Sequence, residues 1–218
     1  KAANIQKAKK EGTMKHPPIK DGLRVAIRKA QPTKGHMSLV ELMNKGYLKH
    51  IISQNVDGLH RKSGIPAENI CEVHGNTNLE ICDRCETGYM RDFGVRNAQK
   101  CKEHKTGRKC DNKACNGDLE DSIINFGENL REEILNLGYA HGSEADLMVA
   151  MGSSMRVNPA AAMAQATALK TGNNKGKLVI VNLQKTPLDA NAYMNIHCKL
   201  DDFFEILMNK VILHIQAK

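Results

Sequence analysis

Four cysteines limit what this chain can fold into more than any other feature. Cys82-x2-Cys85 is separated by 24 residues from Cys110-x4-Cys115. Each short turn presents two sulfurs to one point, the arrangement that tetrahedral zinc takes. Gly88 and Gly117 follow the two pairs and let the backbone fold tightly beside a metal. Four protein ligands leave no open coordination position, so the expected zinc is structural, one per chain. Residues 71–122 are rich in cysteine, glycine and charge and poor in apolar clusters. The metal, rather than a core, is expected to hold them. Cys101-x2-His104 is a rival half-site. Asp111-Asn112 and Asn116-Gly117, turn-forming residues around Cys110 and Cys115, favour the latter pair.

On either side the patterning changes to α/β. Met37–Met43 has apolar residues three and four apart and reads as a helix stopped by Gly46. A short helix is also expected over 23–30. Leu48–Ile52 is a short β-type run. Asp146–Met151 and Lys177–Val181 are continuous apolar runs of buried-strand length, and an alanine-rich helix from Pro159 to Lys170 lies between them. Asp201 and Asp202 are expected to cap a last helix, with Phe203, Phe204, Ile206, Leu207, Val211 and Ile212 on one face.

Strand, small-residue turn, helix, strand is the rhythm of a parallel doubly wound sheet, which binds ligands at the C-terminal ends of its strands. Three such ends carry small or polar residues: Gln54-Asn55, Gly152-Ser153-Ser154 and Asn182-Leu183-Gln184. The expected fold is therefore α/β: a Rossmann-like parallel sheet with a small inserted zinc-binding module. The expected boundaries are a basic segment at 1–29, the sheet domain at 30–70 and 123–218, and the module at 71–122.

Charge is concentrated at the start. Residues 1–50 hold 12 Lys/Arg against 3 Asp/Glu, while the rest of the chain is near neutral and the total is +8. A basic leader of this kind suits contact with nucleic acid or acidic chromatin surfaces, or it is a solvated tail. No apolar run approaches the roughly 20 residues that span a bilayer. The start, Lys1-Ala2-Ala3-Asn4-Ile5, lacks a signal-peptide pattern, and seven cysteines are an odd count for a disulfide framework. A soluble intracellular protein with no membrane partner is expected.

Several strings occur in a telling order: Ala30-Gln31-Pro32-Thr33-x2-His36, Ser53-Gln54-Asn55-Val56-Asp57-Gly58-Leu59-His60, His74-Gly75-Asn76, the four cysteines, Phe126-Gly127-Glu128, Gly152-Ser153-Ser154 and Val181-Asn182-Leu183-Gln184. In this order they resemble the sirtuin (Sir2) family over about residues 30–212, and most closely its nuclear, chromatin-associated class IV branch.

The resemblance implies an NAD-dependent protein-lysine deacylase that releases nicotinamide and O-acyl-ADP-ribose. His74 matches the neutral histidine that takes a proton from the ribose hydroxyls, a role suited to a pKa of about 6.5. Asn55 and Asp57, with Gln54 and Val56, match the loop that orients the nicotinamide and its ribose. Gly152, Ser153, Ser154, Asn182, Leu183, Gln184 and Leu200 match the residues around the adenosine half. Phe126, Gly127 and Glu128 match the strand that pairs with the acyl-lysine peptide. The branch implies histone tails or other nuclear proteins as substrates and a nuclear location, with the cytoplasm as the alternative. A catalytically impaired reader of acyl-lysine or chromatin and a mono-ADP-ribosyltransferase are the competing functions.

One part of the family pattern is not found. Sirtuins open with a Gly-Ala-Gly-Ile-Ser loop around the NAD phosphates and an Asp-Phe-Arg segment, whereas residues 1–29 contain only Gly12 and Gly22. The sequence thus reads as a fragment with an N-terminally incomplete sheet, the alternative being a degenerate paralogue, and weak NAD binding and little activity are expected of it.

Overall fold

A computed structural model describes residues 30–97, 102–172 and 175–216. The basic segment, the helix expected over 23–30 and Cys101 lie outside the described residues. In chain order the elements are α1 (Lys34–Asn44), β1 (Ile51–Ser53), α2 (Leu59–Ser63), β2 (Ile70–Glu72), β3 (Leu79–Cys82), β4 (Gly88–Met90), β5 (Lys105–Lys109) and β6 (Asp118–Asp121). They continue with α3 (Glu132–Glu144), β7 (Leu147–Met151), α4 (Ala160–Ala168), β8 (Lys177–Val181), β9 (Met194–Ile196) and α5 (Leu200–Gln216). These elements fall into two compact units.

The first unit comprises the described residues of Lys1–Gln31, Ser53–Leu59 and His74–Leu130. Its antiparallel sheet has the order β4-β3-β6-β5. Little apolar material holds it: Cys82, Cys110 and Leu119 are buried, with Tyr89 and Cys115 packed against them. Charge fills part of the gap. Glu80 on β3 is fully buried and accepts hydrogen bonds from Arg91 Nε at 2.8 Å and Arg108 Nε at 2.8 Å. Arg91 also forks onto both carboxylate oxygens of Asp111, at 2.8 and 2.9 Å. Burial pushes the Glu80 carboxyl up, but the two guanidiniums overcome it and hold the group below its usual range.

The second unit comprises Pro32–Ile52, His60–Val73 and the described residues of Arg131–Lys218. Strands β7, β8 and β9 pair in parallel, from Leu147↔Lys177 to Met151↔Val181 and from Val179↔Met194 to Val181↔Ile196. Strands β1 and β2 form a separate two-stranded sheet. Strand β8 has the predicted bounds, and β7 begins one residue later than expected. Strand β1 falls at Ile51–Ser53 rather than over 48–52. The core packs Ala150, Leu178 and Ile180 of the sheet against Ala161 and Ala164 of α4, with Met155 and Leu188 at its margins.

Helix α3 approaches α4 closely because glycines replace side chains on the facing stripe. A Cβ at Gly142 would overlap the carbonyl of Met163, and one at Gly138 would lie 2.5 Å from Met163 Sδ. Thr167 Oγ1 closes the contact by donating to Gly142 O at 2.6 Å.

The last helix differs from its expected form. It begins at Leu200, so Asp201 and Asp202 lie in its first turn rather than capping it. There their charges suit the positive end of the helix dipole. Ile206 is 64% exposed, while Phe204 and Met208 are the buried positions. The face that faces inward is offset from the one the apolar letters suggest, because it is set by packing against α1, where Gly35 would bring a Cβ within 3.0 Å of the Phe204 ring. No described helix is long and apolar enough to cross a membrane.

Candidate functional site

The cysteine cluster forms from two matching turns. Cys82 N donates to Thr87 O at 3.1 Å, and Cys110 N donates to Gly117 O at 2.9 Å. Each pair is followed at once by a residue in the left-handed region, Glu86 at φ 56° and Asn116 at φ 49°. The reversal swings both thiols of a pair to the same side. All four Sγ atoms lie within 4.8 Å of one another. Two of their edges, Cys82–Cys115 and Cys85–Cys110, measure 3.6 and 3.7 Å. A Zn–S bond of about 2.3 Å gives a tetrahedral edge of about 3.8 Å, so the cluster fits zinc as it stands.

The backbone N–H of Arg84 points at Cys82 Sγ at 3.4 Å, and the Thr87 hydroxyl helps lower the Cys85 thiol to about 6. Both favour the thiolate that a metal binds. Gly117 is required here: a Cβ would lie 2.5 Å from Cys82 Sγ. Gly88 plays a different part from the one expected. It starts β4, and its nearest neighbour is Leu79 Cδ1 at 3.3 Å rather than a thiol. His104, of the rival half-site, places its two ring nitrogens against Asp121 and Glu128 at 3.2 and 3.1 Å.

In the same unit two loops are joined. Thr77 N donates to Val56 O at 2.8 Å, which fastens the Gln54–Asp57 loop to the segment after His74. Gln54, Val56 and Asp57 are half-buried and Asn55 is exposed. Asp57 Oδ1 accepts from Leu59 N at 2.9 Å, a turn that starts α2. His74 is half-buried, and burial holds its imidazole below the ordinary histidine range.

The residues after His74 are locked in place. Gly75 has φ +81°, and a Cβ there would overlap Ser122 O. Asn76 is fully buried. Its N–H donates to Ser122 Oγ at 3.0 Å and its carbonyl accepts from that hydroxyl at 3.0 Å, while Ile124 N donates to His74 O at 3.1 Å. The backbone beside His74 is thus held at three points, which fixes where the ring stands.

Phe126, Gly127 and Glu128 do not form the expected strand. They belong to a turn closed by Glu128 N donating to Asn125 O at 3.1 Å. Gly127 at φ +88° supplies the positive angle that the third position of a type II turn needs. Phe126 projects from it, 81% exposed.

In the second unit the polar strand ends meet. Because β7 and β8 are neighbours in register, Gly152–Ser154 and Asn182–Gln184 emerge side by side at their C-terminal ends. Gly152 N donates to Val181 O at 3.0 Å, and a Cβ at Gly152 would lie 3.3 Å from Leu200 Cδ1. Ser153 Oγ accepts from Met155 N at 3.3 Å, and Asn182 Nδ2 donates to Gln184 O at 2.8 Å. Leu183, 66% exposed, and the exposed Ser154 and Gln184 form the rim. Thus Gly152, Ser153, Asn182 and Leu200 come together at one end of a parallel sheet, the usual position of a nucleotide.

Sequence reasoning did not single out Asn76 or Ser122, although they hold the His74 loop. Asn76 was visible as part of the His-Gly-Asn string. Ser122 lies 46 residues away with no local signal. His36 of the opening string has a structural role, since its Nδ1 accepts from Thr33 N at 3.2 Å and so caps α1.

Comparison with known proteins gives the same reading. The chain is 40% identical over 189 residues to the NAD-dependent protein deacetylase SRT1 of Arabidopsis thaliana, covering 87% of this chain and 38% of that protein. It is 37% identical over 196 residues to the NAD-dependent protein deacetylase sirtuin-7 of Homo sapiens, covering 88% and 48%. The chain therefore spans less than half the length of these two relatives. A solved complex of Sir2 with a p53 peptide and NAD+ superposes with a TM-score of 0.64 at 31% identity, over 86% of this chain and 73% of that one. The Sir2 family model matches residues 3–159, and with the fold and the cysteine cluster in agreement, this chain belongs to the Sir2 family.

Proposed function

We propose that this chain carries the catalytic machinery of an NAD-dependent protein-lysine deacylase, with His74 as its general base. The observation that carries the reading is the His74 loop: a half-buried imidazole whose neutral form burial favours, on backbone tied to Ser122 and Ile124. NAD, when bound, supplies the ADP-ribose that accepts the acyl group and nicotinamide as the leaving group. Gln54, Asn55 and Asp57 orient the nicotinamide ribose with Val56 beside them, and His74 accepts a proton from a ribose hydroxyl. Gly152, Ser153 and Asn182 receive the adenosine half, with Leu200 against Gly152 and with Ser154, Leu183 and Gln184 at the rim. The turn of Phe126, Gly127 and Glu128 meets the acyl-lysine peptide. Cys82, Cys85, Cys110 and Cys115 hold a structural zinc that takes no part in the chemistry.

Histone tails or other nuclear proteins are the proposed substrates, and the nucleus the proposed location. The support is the likeness to sirtuin-7 and the basic first 50 residues. The test is NAD-dependent nicotinamide release from an acetyl-lysine peptide reaction with a version carrying the family's glycine-rich NAD loop, followed by mass analysis of the peptide. Stoichiometric loss of the acetyl group is expected. Nicotinamide release with the acetyl group retained and an ADP-ribosyl mass gained would instead make the chain an ADP-ribosyltransferase.

A further inference from the structure

His104 occupies a position that neither the cysteine cluster nor the base loop explains. It precedes β5, and its ring is inserted among acidic side chains. Nδ1 lies 3.2 Å from Asp121 Oδ1, and Nε2 lies 3.1 Å from Glu128 Oε1. Each ring nitrogen thus faces one carboxylate oxygen. The Asp121 side chain is fully buried, and His104 O accepts from Asp121 N at 2.7 Å. The imidazole therefore bridges the end of β6 and the Asn125–Glu128 turn.

Both carboxylates it touches organise the segment between them. Asp121 Oδ1 accepts from Ile123 N at 3.0 Å and from Arg96 Nη1 at 3.0 Å. Glu128 folds back over its own turn and accepts from Asn125 N at 2.6 Å and Asn125 Nδ2 at 2.9 Å. With the Glu128 N–H bond to Asn125 O this makes a rigid tip, and Phe126 stands at its apex. Between the two carboxylates the backbone passes Ser122 and Ile124, the residues that hold Asn76 and His74. One side chain thus sits at the junction of the cysteine module, the base loop and the exposed aromatic turn.

We propose that His104 is a positioning residue for peptide recognition: it pins the Phe126-bearing turn to β6 of the cysteine module through Glu128 and Asp121. The pin presents Phe126 in one orientation, so the peptide does not pay to order the turn when it binds. This rests on the reading of the Phe126–Glu128 turn as the peptide-contacting segment.

The test uses the zinc-loaded protein with NAD and a fluorescein-labelled acetyl-lysine peptide, read by anisotropy, together with amide hydrogen exchange over residues 121–128. His104→Ala should weaken peptide binding about tenfold, the scale of one hydrogen bond to a charged partner. Zinc content and NAD affinity should stay unchanged. His104→Arg, which restores two donors, should recover most of the affinity. Faster exchange at 121–128 in His104→Ala is expected whether or not the peptide binds. Unchanged exchange, or no recovery of affinity in His104→Arg, would overturn the pin. If the unsubstituted protein binds no peptide while His104→Ala still loosens the turn, the pin stands and the peptide assignment of the turn fails.

Discussion

At the scale of single residues, His74 combines two properties that normally oppose each other. It is withdrawn from water enough to lower its pKa, yet half-exposed and so able to meet a substrate. In the proposed role the neutral imidazole is the base, and a lowered pKa keeps it neutral to more acidic pH than a free histidine. Turnover should thus persist below the ordinary histidine range and fall only as pH drops through the lowered value, as a pH–rate profile will show. In a version carrying the family's glycine-rich NAD loop, His74→Tyr should reduce NAD-dependent deacetylation about 100- to 10,000-fold, the usual range for losing a general base. The circular dichroism spectrum should be unchanged, because the four zinc-binding thiols and the buried cluster around Ala150 and Ile180 are built from other residues. Near-normal turnover in a folded His74→Tyr protein would remove His74 from the base role.

The elements fit together through close approach in one place and through a titrating pair in another. Helix α3 meets α4 at Gly142, where a Cβ would run into the Met163 carbonyl. A backbone group cannot swing aside as a side chain can. Gly142→Ala should therefore destabilise the protein by about 1–3 kcal/mol, the cost of overpacking, measurable by urea denaturation.

His50, just before β1, stacks on His141 of α3 with ring centroids 3.7 Å apart. Burial, and then the charge of His141, lower its pKa from 6.5 to about 4. The unfolded chain therefore binds a proton between these values that the folded chain does not. Stability is fully present above pH 6.5 and declines as pH falls toward 4. His50→Phe keeps an aromatic ring in the stack and should flatten that acid slope in chemical denaturation at stepped pH. An unchanged slope would mean that His50 is protonated in the folded state.

For the molecule as a whole, the metal takes the place of a core in one unit. The cluster of Cys82, Cys110 and Leu119 with Tyr89 and Cys115 beside it is a small core for a four-stranded sheet, and a structural zinc supplies folding free energy directly. Metal analysis should give one zinc per chain. Cys110→Ser should lose it and Cys101→Ser should keep it, with the Cys110→Ser protein more open to protease over residues 79–121. The reverse pattern would transfer the site to the Cys101–His104 pair.

Local patterns in the sequence determined a good deal of this protein. The Cys-x2-Cys and Cys-x4-Cys spacings pick out the four thiols, because a metal knuckle is closed by residues a few positions apart. The apolar runs at 147–151 and 177–181 give two neighbouring parallel strands, and with them the shared position of Gly152 and Asn182. Only the tertiary structure decided which contacts join distant segments. Ser122 clamps Asn76 across 46 residues, and Glu80 gathers Arg91 and Arg108 from two other strands or strand ends. The same applies to Phe126–Glu128, which the family pattern renders as strand. There Asn125, Gly127 and Glu128 close a turn among themselves, and the His104–Glu128 contact that fastens it comes into range only once β5 and β6 have paired.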